Sequence, residues 1–442
     1  MTKVVIRDQL MGTGKSTMMI EEINNSDSDQ KFIVVLPFLS ECHRYAGTTP
    51  DPDSQEKQKP LLDDSGNVIY NGTGCNASGR LFRHPIAGYR NKVEHIEDLV
   101  NQGIDIVTTH AAIKLFTPNT KAAIQDNNYR LIIDEELECI KPVPLRRIRR
   151  TMLLDSGVIE VDSDTNLLRW ADKGYDADDI DDRADSGLSW DTSIKKMCDN
   201  GSLILVPDEN GNRNFFMWEY PVEFIKAFDR VDVLTYNSEG SIFEKYLKFY
   251  NIPYTIEKGI QYQPNIKDLL KIVDSEKMNR AGLRSEALSA NNQRGFTKQS
   301  AHAATLKRNL ENFYNNKAYP DSSPEERLWT CLSGARNILK GRGYTKRFIP
   351  CNTKAVNDYM NTSKLAYVYN SYLHPDVYRF MAARGQEYAP DQSQYSTNEL
   401  LQWIYRSRIR NDEEITLYIP SSRMRDYLQD WLDKSSQEVK SQ

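Results

Sequence analysis

The sequence predicts an α/β protein of two tandem units, each a mainly parallel sheet flanked by helices, with surface insertions. The opening 135 residues repeat one theme: a short run of Val, Ile and Leu, a polar turn, then a helical or irregular stretch. The runs do not alternate apolar and polar residues, which is the pattern of strands buried on both faces. After about residue 260 the strand–turn–helix theme starts again.

In chain order, KVVIRD (3–8) is a strand leading into LMGTGKSTMMIEEI (10–23), a Gly-rich turn that feeds a helix. KFIVVLP (31–37), GIDIVTTH (103–110) and YRLIIDEE (129–136) are further strands, each ending in polar residues. Parallel strands would bring those ends to one edge of the sheet, where open α/β sheets bind ligands. Residues 46–95 are polar and turn-rich and read as a surface insertion. A second insertion spans 142–220, within which SLILVPDENGNRNFFMW (202–218) has the pattern of a β-hairpin. RVDVLTYNSEGS (230–241) resumes the sheet.

In the second unit, TKRFIPCNTKAVNDYM (345–360) reads as strand, turn and helix, and SKLAYVYNSY (363–372) as a strand. STNELLQWIYRSRIRN (396–411) has a Ser/Thr cap and helical spacing. EITLYIPSSRM (414–424) is a last strand before a terminal helix ending near Leu432. The expected partition is therefore 1–258, with insertions at 46–95 and 142–220, then 259–435, then a disordered tail at 436–442.

Composition excludes several classes. In 442 residues, 39% hydrophobic and 27% charged, no apolar run approaches the roughly 20 residues that span a bilayer. No basic start, apolar core and cleavage site stand in series at the amino terminus, so no membrane partner and a cytoplasmic location are expected. The six cysteines (42, 75, 139, 198, 331 and 351) form no C-x-x-C pair, so neither a zinc site nor a disulfide framework is expected. The net charge of −5 is not that of a uniformly basic nucleic-acid binder, but it is unevenly placed. Residues 277–350 carry 14 Lys or Arg against 5 Asp or Glu, and DKGYDADDIDDRAD (172–185) carries seven Asp, the composition of a solvated loop.

Three elements carry chemistry. In the loop Met11, Gly12, Thr13, Gly14, Lys15, Ser16 and Thr17, the glycines free consecutive backbone N–H groups to cradle phosphate. Lys15 sets an ammonium against the outer phosphates, the Ser16 hydroxyl ligates Mg²⁺, and the helix amino terminus favours negative charge. Gln9 stands where the usual motif has its leading glycine. In LIIDEELE (131–138), Asp134 at a strand end holds the Mg²⁺ shell and Glu135 orients and deprotonates water for attack on a γ-phosphate. In LQWIYRSRIRND, Gln402, Arg406 and Arg410 lie at i, i+4 and i+8, one helical stripe able to deliver guanidinium to that phosphate. The cofactors so implied are ATP and Mg²⁺.

Together these motifs resemble a superfamily 2 DEAD/DEAH-like helicase or translocase of the type encoded by tailed bacteriophages. MGTGKST is similar to its motif I and IDEE to its motif II. VLPFLSECHRY (35–45) and IVTTHAAIKLF (106–116) resemble its strand-contacting motifs Ia and Ic, VLTYNSEGS (233–241) motif III, and QWIYRSRIR motif VI. Tyr405 replaces the glycine of motif VI and Ile409 its second arginine, which leaves Arg408 and Arg410 as alternatives for that role, the helical stripe favouring Arg410. The resemblance implies two RecA-like domains and an ATP-dependent motor, acting on single-stranded or forked nucleic acid, DNA ahead of RNA. It implies a part in phage replication or recombination in the host cytoplasm, beside other proteins of those processes. Contacts to the strand are then expected from Pro37, Thr108, Thr109 and His110, and from Lys340, Arg342, Lys346, Arg347, Asn352 and Thr353. Two other readings stand beside it: a small-molecule or nucleoside kinase, and an origin-binding scaffold clamped by ATP.

Overall fold

The computed structural model describes residues 2–54, 59–85, 91–171, 189–207, 214–351 and 359–441. The apolar runs of the first half become β1 (Lys3–Asp8), β2 (Lys31–Leu36), β3 (Ile106–Thr109) and β4 (Tyr129–Asp134). An insertion follows: β5 (Ile140–Pro142), the pair β6 (Ile159–Val161) and β7 (Leu168–Trp170), and the pair β8 (Leu203–Val206) and β9 (Phe215–Glu219). The core then resumes with β10 (Arg230–Thr235) and β11 (Tyr254–Lys258). Six of these strands form one parallel sheet in the order β11-β1-β10-β4-β2-β3.

The lack of alternation has the expected cause: both faces are covered. Successive strand residues point to opposite faces. Ile6, Ile33, Val35, Leu131, Ile133 and Val233 enter one core, while Phe32, Val34, Leu36, Ile132 and Leu234 enter another. The second core also takes Met19, Ile20 and Ile23 of the helix Lys15–Asn24. At about 1.5–3 kcal/mol per fully buried aliphatic side chain, this packing fixes the helix behind the Gly-rich loop. A charged network adds to it. Buried Asp232 on β10 accepts from Arg130 (2.6 Å), Arg230 (3.0 Å) and Arg7 (3.3 Å), and Glu22 of that helix pairs with Arg7 and Arg130 at 2.6 Å each.

The second half builds a parallel four-stranded sheet, β12-β15-β14-β13, from β12 (Leu270–Ile272), β13 (Arg327–Thr330), β14 (Lys364–Tyr367) and β15 (Ile415–Tyr418). One face carries the helices Gln392–Ile404 and Ser422–Ser441, through Leu400, Leu401, Met424 and Leu428. The other carries the helix Ala301–Asn315, through Leu306, Leu310 and Phe313.

Several expectations are corrected. Of the strand, turn and helix expected over 345–360, the strand is reduced to one bridge, Phe348 to Trp329, and residues 352–358 lie outside the described ones. The terminal helix, expected to stop near Leu432, continues to Ser441. The helix expected over 396–411 ends at Ile404, and a 3₁₀ turn follows at Arg408–Asn411. The polar segment after residue 46 is more than surface: Cys75 and Phe82 are fully buried in the core behind β2, and Arg83 bridges to Ile106 at the edge strand. In the other insertion β8 and β9 pair antiparallel, with β5 beside β9. The hairpin turn at 208–213 and the acidic run at 172–185 lie outside the described residues.

The two halves share a core. Val377, Phe380 and Met381 of the helix Pro375–Ala382, with Leu373 before it, are buried among first-half residues. Just beyond that helix, Arg384 grips buried Glu219 of β9 with two hydrogen bonds, one of 2.6 Å.

Candidate nucleotide site

The strand carrying the Gly-rich loop and the strand carrying Asp134 are separated by β10 alone, so both open at one carboxyl edge. Gly12 and Gly14 have φ of +83° and +86°, the left-handed region that side chains disfavour. Thr13 ties the loop to itself, its hydroxyl donating to the Leu10 carbonyl at 2.8 Å. The Lys15 ammonium bends back over the loop, donating to the carbonyls of Gln9 and Leu10. The Ser16 hydroxyl donates to Asp134 Oδ2 at 2.8 Å. Gln9 packs its side chain on Gly259, where an added Cβ would stand 2.4 Å away, so it anchors the loop to the chain leaving β11.

A cleft of about 430 Å³ opens over this edge. Met11, Gly12, Gly14, Lys15, Ser16, Thr17, Asp134 and Glu135 line it from the first half, and Gln402, Arg406 and Arg410 from the second. The three second-half residues meet the cleft although the continuous helix that suggested them is absent. Arg410 reaches the loop from the 3₁₀ turn, its Nε 3.3 Å from where a Cβ on Gly12 would stand. Arg406, only 5% exposed, has a buried Nη1 with no hydrogen-bond partner.

Electrostatics follow from this burial. Burial pushes Asp134 up to about 6, opposed by the Ser16 hydrogen bond and Lys15 and reinforced by Glu135. Burial brings Lys15 down to about 8 against the pull of Asp134, Asp8 and Glu135. Arg406 and Arg410 are also lowered by burial, partly offset by Glu135 and Glu41 respectively. Buried Arg406 and half-buried Lys15 converge with Arg410 on one cavity, the electrostatics of a polyanion site. Glu135 has φ of +64°, a costly conformation away from glycine, held by its N–H donating to the Leu234 carbonyl at 2.8 Å. No cluster of three or more His, Cys, Asp or Glu suited to a metal occurs among the described residues. The Ser16–Asp134 oxygen pair fits Mg²⁺, which takes one or two protein oxygens plus phosphate and water.

The sequence reading missed other residues here. Glu41 and Arg44 line the cleft from the helix Leu39–Ala46, paired at 2.7 Å. Buried Asp8 clamps the end of β10, accepting from the N–H groups of Asn237 (2.7 Å) and Ser238 (2.8 Å). The signal for Glu41 and Arg44 was the short connection after β2 at the carboxyl edge.

Comparison with known proteins adds three findings. A family model described as the YonV C-terminal Rossmann-like domain matches residues 264–432, which contain all four strands of the second sheet and Arg406. The second half is similar to that Rossmann-like domain. An SPbeta prophage-derived uncharacterized protein, YonV of Bacillus subtilis (strain 168), is 28% identical over 450 residues, covering 98% of this chain and 99% of that protein. A DEAD box protein from the hyperthermophile Methanococcus jannaschii aligns over 99% of this chain and 87% of its own, at 11% identity and a TM-score of 0.25. With a score that low, the fold is read from the chain's own sheets.

The expected strand contacts are dispersed. Pro37 and His110 line a second cavity of about 860 Å³ that adjoins the cleft, and His110 Nε2 donates to the Asp134 carbonyl at 2.8 Å. Thr108 does not fit its expected role, because both faces of β3 are covered and it is 4% exposed. Thr109 is half-buried at the end of β3. Lys340, Arg342 and Lys346 are exposed but do not line this cavity. Arg347 is spent on structure, donating to the carbonyls of Glu325 (2.7 Å) and Arg327 (3.3 Å). Asn352 and Thr353 lie outside the described residues. The cavity mixes Lys114 and Lys141 with Glu136, Glu138, Asp391 and Glu399. No helix among the described residues is long and apolar enough to cross a membrane.

Proposed function

We propose that this chain is a nucleic-acid-stimulated ATPase, a helicase or translocase whose units 1–258 and 259–435 hold ATP between them. The observation that carries this reading is the one cleft lined by Lys15, Ser16, Asp134 and Glu135 on one wall and Arg406 and Arg410 on the other. In it, Lys15 exchanges the Gln9 and Leu10 carbonyls for phosphate oxygens. Ser16 and Asp134 hold Mg²⁺, which when bound neutralises phosphate charge. Glu135 orients the attacking water and takes its proton, and Arg406 stabilises charge on the transferred group. The prophage-derived relative fits action in a host cytoplasm, and the proposed substrate is single-stranded or forked DNA ahead of RNA, in replication or recombination.

The mixed charge of the adjoining cavity favours a second reading, a kinase whose acceptor binds there. One assay separates the two: ATP turnover titrated with single-stranded DNA, duplex DNA and RNA. A motor is stimulated by polynucleotide, and Lys15→Ala abolishes turnover. Turnover indifferent to all three polymers removes the motor reading, and a phosphorylated small acceptor establishes the kinase.

A further inference from the structure

We propose that Tyr45 is a positioning residue for the Ser16–Asp134 pair, its hydroxyl receiving the Ser16 hydrogen bond when the Ser16 oxygen ligates the nucleotide-bound cation. This rests on the nucleotide reading above. Tyr45 belongs to the helix Leu39–Ala46 and is fully buried. Its ring packs in the core formed by that helix, the loop helix and the sheet, with Met19, Ile20, Phe32 and Leu36. Packing alone needs no hydroxyl there, since Phe32 and Phe82 fill the same core without one. Yet the Tyr45 hydroxyl is present and buried, and no hydrogen bond of normal geometry reaches it among the described residues. Such groups are rare in folded proteins and call for a partner.

The polar surroundings name the partner. Ser16 is the polar side chain whose hydrogen-bonding influence reaches the Tyr45 hydroxyl, while its own proton is donated to Asp134. A phenol is neutral near pH 7, so the hydroxyl is able both to donate and to accept. Ser16 has a single proton, donated to Asp134 Oδ2 at 2.8 Å. A cation shared by Ser16 and Asp134 competes for the carboxylate lone pair that accepts it. Turning that O–H to Tyr45 breaks one hydrogen bond and forms another, and no proton changes its heavy atom.

The test is equilibrium binding of a fluorescent ATP analogue, in EDTA and at rising Mg²⁺, to wild type, Tyr45→Phe, Ser16→Ala and the double variant. Tyr45→Phe is expected to match wild type in EDTA and to need about three- to ten-fold more Mg²⁺ for half-maximal enhancement, the scale of one neutral hydrogen bond. Its effect vanishes in the Ser16→Ala background, and its melting temperature does not fall, because the lost hydroxyl had no partner. A Tyr45→Phe titration that overlays wild type overturns the inference and leaves the nucleotide reading intact. So does an effect that persists without the Ser16 hydroxyl. Wild-type binding indifferent to Mg²⁺ overturns the nucleotide reading and this inference together.

Discussion

Asp134 is the residue at which burial and function pull hardest against each other. Its carboxyl is raised from 3.8 to about 6, first by burial. The folded chain therefore holds a proton that the unfolded chain releases between those values. Stability falls as pH rises through that window, and the full penalty applies above it. Asp134→Asn removes the charge and keeps an acceptor for Ser16. It is expected to stabilise the nucleotide-free protein at about pH 7.5 by roughly 1–3 kcal/mol and to flatten the acid-side dependence, while losing Mg²⁺-dependent nucleotide binding. Denaturant unfolding across pH checks this, and a variant less stable than wild type at that pH contradicts it. Arg406→Ala should lower kcat by about 10³-fold or more with nucleotide affinity nearly unchanged, read by steady-state turnover beside equilibrium binding. Lys15, Ser16, Asp134 and Glu135 could be read from sequence because strand, turn and helix are contiguous there. Tyr45 could not, since its neighbours come from distant segments.

At the scale of elements, the carboxyl-terminal arginines reach the cleft through a local geometry other than the one expected. The spacing of Gln402, Arg406 and Arg410 suggested one helix, but Ser407 takes extended backbone (φ −82°, ψ −179°) and its hydroxyl donates back to the Ile404 carbonyl at 2.7 Å. Serine readily bonds to nearby backbone in place of the helical ladder. The break lets Arg410 approach Gly12 from its own turn. Gly12→Ala should then weaken nucleotide binding at least about ten-fold, since its backbone is left-handed and its Cβ would press on Arg410. An unchanged affinity in the same fluorescence titration would refute this. The polar text of 46–95 concealed Cys75 and Phe82, two anchors too sparse to form a pattern. The strand expected to open the segment 345–360 dwindles to a bridge, its apolar content being Phe348 and Ile349.

For the whole molecule, most of the first sheet and the strands β14 and β15 of the second follow from apolar runs, but β11, β12 and β13, and how the two sheets meet, do not. The helix Pro375–Ala382 inserts into the first core, and Arg384, with Phe380 and Phe249 against its guanidinium, grips Glu219 across the boundary. No periodicity in either segment marks such a pairing. Arg384→Ala leaves a buried carboxylate uncompensated and should cost about 3–5 kcal/mol. The double change Arg384→Met with Glu219→Leu should recover much of it. Chemical denaturation of the three proteins measures the recovery, and a double variant as unstable as the single one refutes the tie.

The joint nucleotide site itself is best examined by determining the structure with Mg²⁺ and a non-hydrolysable ATP analogue. The terminal phosphate is expected between the Lys15 ammonium and the Arg406 guanidinium, with the cation on Ser16 and Asp134. A nucleotide bound elsewhere, or held by the first unit with Arg406 turned away from it, would contradict a site completed by the second unit.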